Sequence, residues 1–262
     1  MLQSMKNINR AFLFKLIEAD TRGAFDLSEK ILSLRAYSIF KGGSVVDHNH
    51  YLVAIPQTTP YHQIALVAHV DTCDDDAFFS KESEIIEKNG FIWNNKPFIL
   101  GADDRAGVYA ILKIVEACSG PVPIIILTDG EEMGSVGAKY LVQEDLLRFY
   151  INNIALFIQL DRRDYIAYNK NMQQYTLSNS RNFVSYCGEP PKQITDMLCE
   201  RNYVKKKGRT SDVRHLTDAY NIPHVNLSIG YCYEHTPDEV LSLQLLNDTI
   251  DDVRSFIAGW SS

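Results

Sequence analysis

Ile64-Ala65-Leu66-Val67-Ala68-His69-Val70-Asp71 is the stretch that decides the fold. Five apolar residues follow one another without alternation, as in a strand covered on both faces within a parallel sheet. The run ends in His-x-Asp. Residues i and i+2 of an extended chain share a face, so His69 and Asp71 can meet. Val122–Leu127, Ile154–Leu160 and His224–Ile229 have the same buried-strand character.

Helical spacing of apolar residues separates these runs. Ile8–Ile39 reads as two helices broken near Thr21-Arg22-Gly23. Asp104–Cys118 carries Val108, Leu112 and Val115 on one stripe. Val136–Val142, Pro190–Tyr203 and Ser211–Tyr220 complete the set. Ser44–Ile55, rich in β-branched residues, predicts an early strand pair. The last helix is expected from Thr236 to about Ala258, with Thr236 as N-cap, Pro237 at the first helical position and Glu239 three residues after the cap. Strands alternating with helices predict an α/β fold: a mixed, mostly parallel central sheet sandwiched by helices. A length of 262 residues suits a single domain over 1–262, without a lid insert. In such sheets the chemistry lies at the carboxyl ends of the strands.

Composition narrows the function. No apolar run approaches the ~20 residues that span a bilayer. Lys6, Arg10, Lys15 and Glu18 interrupt the N-terminal stretch, so no export signal is expected and the chain is expected in the cytoplasm. A net charge of −7 disfavours nucleic acid as a partner, and Lys205-Lys206-Lys207 reads as a solvated loop. Five scattered cysteines without a C-x-x-C pair fit reduced thiols better than a disulfide framework or a zinc knuckle.

Five segments lie just beyond, or just before, the buried runs. His69-Val70-Asp71 ends the first; alone, such a His-x-Asp is more often a strand-end His beside a surface Asp. Gly101-Ala102-Asp103-Asp104-Arg105-Ala106-Gly107 runs into a helix, where paired acids are frequently a cap and a dipole partner. Asp129-Gly130-Glu131-Glu132-Met133-Gly134 follows the next strand, and neighbours in extended chain point opposite ways, so Glu131 and Glu132 divide two tasks. Asp161 ends another strand, and His235 lies beyond the fourth. In company, nitrogen and oxygen donors without thiolates suit Zn²⁺, or Mn²⁺ and Co²⁺, in an open catalytic site.

Taken together, H-V-D (69–71), G-A-D-D-R-A-G (101–107), E-E-M-G (131–134), L-D (160–161) and E-H-T-P-D-E (234–239) resemble the co-catalytic two-zinc exopeptidases of the M28/M20/M42 clan. T-S-D (210–212) and N-I-P (221–223) resemble a further stretch of the M28 aminopeptidases. The resemblance implies that His69, Asp103 and Asp161 hold one zinc, and that Asp103, Glu132 and His235 hold the other, with Asp103 bridging. It implies that Asp71 orients His69 and that Glu131 is the general base. Asp103 is chosen over Asp104 on the D-x-[KR] register. Only 33 residues separate His69 from Asp103, and 73 separate Asp161 from His235. Neither gap leaves room for the inserts of the M42 or M20 branches, which favours a minimal M28-like aminopeptidase domain and a monomer. The D-D-R-A-G and H-T-P-D-E spellings lean towards M42.

The implied activity is removal of N-terminal residues from a peptide or small amide substrate. Carboxypeptidase or N-acyl amino acid deacylase activity is the alternative, and a non-catalytic metal-binding module of this fold is the second. A substrate carboxylate would need a cation, for which Arg162, Arg163 and Arg209 are candidates, although each is equally readable as a surface ion pair. Tyr231 and Tyr233 line the pocket or simply pack. Asp74-Asp75-Asp76 reads as a solvated loop. Asn169–Pro191 has no counterpart in the resemblance.

Overall fold

The computed structural model describes residues 8–43, 50–57, 63–73, 83–118, 122–169, 174–177, 181–186, 189–208 and 210–260. Helices α1 (Arg10–Ile17) and α2 (Thr21–Leu34) precede strands β1 (Tyr37–Gly42), β2 (Tyr51–Pro56) and β3 (Ile64–His69). A hairpin, β4 (Ile85–Lys88) and β5 (Phe91–Asn94), leads to helix α3 (Ala102–Ala117), strand β6 (Ile124–Thr128), helix α4 (Val136–Gln143) and strand β7 (Leu156–Gln159). A second hairpin follows, β8 (Ile166–Asn169) and β9 (Gln174–Leu177), then β10 (Arg181–Val184), α5 (Lys192–Glu200), β11 (Tyr203–Lys205), α6 (Asp212–Tyr220) and β12 (His224–Leu227). The chain ends through β13 (Tyr231–Cys232), β14 (Val240–Ser242) and α7 (Leu243–Gly259).

Eight strands form one sheet in the order β1-β2-β6-β3-β7-β12-β10-β11. β3 lies between β6 and β7 and runs parallel to both, and β7 runs parallel to β12. β2 is antiparallel to β6, and β10 to β12, so the sheet is mixed with a parallel centre. The continuous apolar run of β3 now has its reason. Ile64, Leu66 and Ala68 pack into one core with residues of α1, α2, α3 and α7. Ala65 and Val67, pointing the other way, pack with Leu141 of α4 and with Val213 and Leu216 of α6. Each such fully buried Leu, Ile or Val contributes roughly 1.5–3 kcal/mol. Because β3, β6 and β7 are parallel, their carboxyl ends come out at one edge of the sheet.

The structure differs from the sequence reading in five places, one of them the helix expected to Tyr203, which ends at Glu200 while Tyr203–Lys205 pairs with β10. The N-terminal helical pattern ends at Leu34, not Ile39: Ala36 takes a positive φ of 58°, and Tyr37–Gly42 pairs with β2 instead. The early strand pair is therefore β1 with β2 rather than two strands within Ser44–Ile55, and residues 44–49 lie outside the described residues. The hairpin β4–β5, unforeseen in the sequence, joins β13 and β14 in a four-stranded sheet. The last helix starts at Leu243, six residues later than expected, with Ser242 Oγ accepting from the Leu245 amide at 3.3 Å. The T-P-D-E signature fails as a helix start because Val240 and Leu241 pair with Trp93 and Ile92 of β5, which turns Glu239 inwards. The unplaced stretch after Asn169 holds β9 and β10. Among the described residues no helix is long and apolar enough to cross a membrane.

Candidate metal centre at the carboxyl edge of the sheet

His69 is the last residue of β3 and is buried. Its Nδ1 lies 3.2 Å from Asp71 Oδ1, and its Nε2 lies 3.2 Å from Asp103 Oδ1 and 3.6 Å from Asp161 Oδ1. Asp71 does a second job. Its two oxygens accept the backbone N–H groups of Glu131 (3.2 Å) and Glu132 (3.1 Å). One carboxylate therefore fixes the ring of His69 and the loop leaving β6.

Asp103 stands at the entry of α3, where Asp103 and Asp104 have non-helical dihedral angles and the peptide between them is cis. Its Oδ1 faces His69; its Oδ2 lies 3.2 Å from His235 Nε2, and His235 Nε2 is 2.8 Å from Glu132 Oε1. The two oxygens of one carboxylate thus serve two imidazoles. An oxygen of Asp104 also comes within 4.8 Å of donor atoms of His69 and Asp161. That carboxylate, however, accepts the Gly107 N–H at 3.1 Å and the His69 N–H at 3.3 Å, so it braces the site from behind. Gly107 allows this: a Cβ there would overlap the Leu160 carbonyl and the Asp104 carboxylate.

Asp161, at the end of β7, accepts from Tyr231 Oη (3.0 Å) and Gln159 Nε2 (2.8 Å), and its backbone N–H donates to Asn226 Oδ1. Ser211 Oγ lies 3.3 Å from Asp161 Oδ2 and also bonds Gln159. Asp212, next along, accepts from Thr128 Oγ1 at the end of β6. Ser211 and Asp212 are thus a buried brace under two strand ends.

Glu239 is the residue that sequence reasoning placed wrongly. It is buried, and it accepts the backbone N–H groups of Leu100 and Gly101 (both 2.8 Å, Oε2) and of Asp103 (3.0 Å, Oε1). A single carboxylate four residues beyond His235 therefore holds the loop that carries Asp103. Arg105, also fully buried, donates to the Val70 carbonyl between His69 and Asp71 and to the Leu16 and Ala19 carbonyls near the end of α1.

The site's electrostatics follow from burying this many carboxylates together. Burial pushes Glu131 up to about 9, with repulsion from Asp161 adding to it. Burial likewise raises Glu132 and Asp161, and raises Asp104 well above the usual carboxylate range. Burial also opposes ionisation of Asp103, but its hydrogen bonds to His235 and His69 outweigh that and lower it. Hydrogen bonds to Asp103 and Glu132 raise His235 to about 11; His69, against the effect of burial, is raised well above 6.5 by Asp103, Asp161 and Asp71. Such a cluster calls for positive charge. Two imidazoles and an excess of buried carboxylates, one of them shared, are a donor set that divalent cations fit.

The other sequence candidates fall outside this core. Arg162 donates to Asn182 Oδ1 and to the Lys207 carbonyl, and Arg163 pairs with Glu234 at 2.9 Å. Arg209 and Asp74-Asp75-Asp76 lie outside the described residues. Tyr231 is buried against Asp161. Tyr233 is exposed, donates to the Ile166 carbonyl at 2.8 Å, and with Arg163, Ile166, Leu177 and Cys232 lines an apolar cavity of about 430 Å³.

Known proteins share this arrangement at the level of fold. A tripeptidase from Staphylococcus aureus superposes with a TM-score of 0.67 at 16% identity, covering 94% of this chain and 95% of that one. An aminopeptidase from Desulfurococcus kamchatkensis gives 0.68 at 14% identity, covering 96% and 94%. A structure described as a Zn-dependent exopeptidase, from Parabacteroides distasonis, gives 0.62 at 14% identity, covering 95% and 96%. No curated protein sequence matches the chain. The model of peptidase family M28 matches residues 51–260, a span that includes every residue of the centre. The chain belongs to peptidase family M28 and is a metallo-exopeptidase.

Proposed function

We propose that the chain is one catalytic domain that binds two divalent cations, with zinc as the native metal, and releases N-terminal residues from peptides. One observation carries this reading: the two oxygens of Asp103 each lie 3.2 Å from a different imidazole. His69, Asp103 and Asp161 would hold one ion; Asp103, Glu132 and His235 would hold the other. Bound there, the ions supply Lewis acidity at the scissile carbonyl and make water more acidic. Glu131, whose backbone N–H is fixed by Asp71, takes the proton of the attacking water and passes it to the leaving amine. Tyr231 and Gln159 hold Asp161 in place, and Asp71 holds the His69 ring.

The choice of the amino end rests on where the cations are. A C-terminal substrate carboxylate needs a guanidinium or ammonium group, and Arg162 and Arg163 are engaged with Asn182, the Lys207 carbonyl and Glu234. A free substrate ammonium needs no such group. The apolar cavity beside Tyr233 suits a bulky aliphatic or aromatic side chain of the residue being released.

Elemental analysis of zinc-reconstituted protein, followed by an assay with one peptide in free, N-acetylated and C-amidated forms, tests the reading. About two zinc per chain and chelator-sensitive loss of the first residue from the free and C-amidated forms are expected. Cleavage of the N-acetylated form alone would move the activity to deacylation, and loss of a C-terminal residue would make the protein a carboxypeptidase.

A further inference from the structure

Cys73 lies two residues beyond Asp71 on the loop leaving β3, and it is exposed. Its sulfur, a carboxylate oxygen of Glu132 and an imidazole nitrogen of His235 all lie within 4.8 Å of one another. Glu132 Oε1, 2.8 Å from His235 Nε2, is otherwise a buried oxygen without a hydrogen bond. Donors bound to one zinc at ordinary bond lengths stand about 3.5 Å apart in a tetrahedron. The observed spacing closes onto one ion through small rotations, and the thiol turns about a single side-chain torsion. Nothing in the ligand set implied by the sequence resemblance contains a sulfur donor.

We propose that Cys73 Sγ is a protein donor to the cation held by Asp103, Glu132 and His235; this rests on the two-cation reading above. Binding releases the thiol proton to solvent, as it does at any cysteine ligand. The consequence is chemical. Three protein donors leave a catalytic zinc with an open position, whereas four close it. With Cys73 attached, the second ion has four protein donors, and the thiolate stands where an incoming substrate must bind. Cys73 then acts as a built-in competitor that must leave the ion before substrate binds. A thiolate also biases this half of the centre towards zinc over manganese.

Titrating metal-free protein with CoCl₂ tests this with a spectrum rather than a rate. The proposal expects the visible d–d bands of bound cobalt together with a near-ultraviolet sulfur-to-cobalt charge-transfer band. Cys73→Ser should abolish only the charge-transfer band, weaken one of the two Zn²⁺ sites by about tenfold or more, and lower KM for peptide. Full d–d bands without charge transfer in the wild-type protein would overturn the cysteine donor and leave the cation pair standing. No cobalt bands at all would overturn both. Iodoacetamide labelling read by peptide mass spectrometry needs no variant. Zn²⁺ should slow alkylation of Cys73 at least about tenfold, while the exposed Cys199, remote in sequence from every ligand segment, serves as the control. Equal labelling of Cys73 with and without Zn²⁺ would contradict the proposal.

Discussion

Asp103 and Glu131 divide the work of the centre between holding and reacting. Asp103 offers one oxygen to each histidine, so Asp103→Asn, which leaves one good acceptor, should lose one of the two cations. Metal analysis of the purified variant checks this; two retained equivalents would remove Asp103 from the bridging role. Burial, with repulsion from Asp161 added, pushes Glu131 up to about 9, while its backbone is fixed by Asp71. Glu131→Gln should keep both metals and lose about 10²–10⁴-fold in kcat. Near-normal turnover in that variant would exclude it as the general base. The separate tasks of Glu131 and Glu132 were expected from an extended chain, but the two lie in a turn whose Glu131 carbonyl accepts the Gly134 and Ser135 N–H groups. For Asp103 against Asp104, the D-x-[KR] register gave the choice but not its cause. The cause is a local bend at the helix entry that leaves Asp104 accepting backbone N–H groups and Asp103 facing the histidines.

At the scale of elements, β3 and β6 were readable as uninterrupted apolar runs, and β7 and β12 as mainly apolar stretches between turn and helix patterns. Short strands that depend on a distant partner were not. Val240–Ser242 has only three residues, and its strand character comes from Trp93 and Ile92 across the sheet. The same pairing converts the apparent helix cap Glu239 into a clamp on the Leu100–Asp103 loop, tying the His235 segment to the Asp103 segment. Glu239→Gln replaces one accepting oxygen with an NH₂ that faces N–H donors. It should cost about 1–3 kcal/mol in stability and weaken cation binding by about 10–100-fold. Denaturant unfolding and a zinc titration on the same variant measure both; wild-type metal affinity would show that the clamp does not hold the site. The β8–β9 hairpin could not be placed from sequence for a related reason. Among the described residues its two strands pair only with each other, and Ile166, Tyr175 and Leu177 join a small cluster apart from the main core.

Across the whole molecule, one buried histidine away from the centre sets a limit on acid stability. His224 Nε2 accepts from the Tyr186 backbone N–H at 2.8 Å, its Nδ1 lies 2.9 Å from Thr217 Oγ1, and burial lowers its pKa to about 4. The unfolded chain, with a histidine near 6.5, binds this proton first, so stability is complete above that value and falls as pH drops towards about 4. The loss amounts to about 3 kcal/mol. Unfolding free energies of the wild-type protein and His224→Asn between pH 4 and 7 should converge at the acid end; a constant difference would contradict the assignment. The larger claim concerns the edge of the sheet, where parallel strands deliver His69, Glu131 with Glu132, and Asp161 side by side, and Glu239 helps bring Asp103 and His235 to meet them. Anomalous diffraction at the zinc edge from crystals grown with Zn²⁺ tests that most directly. Two peaks about 3.5–4 Å apart, one on each side of Asp103, are the predicted result; a single peak, or peaks that do not touch Asp103, would contradict it.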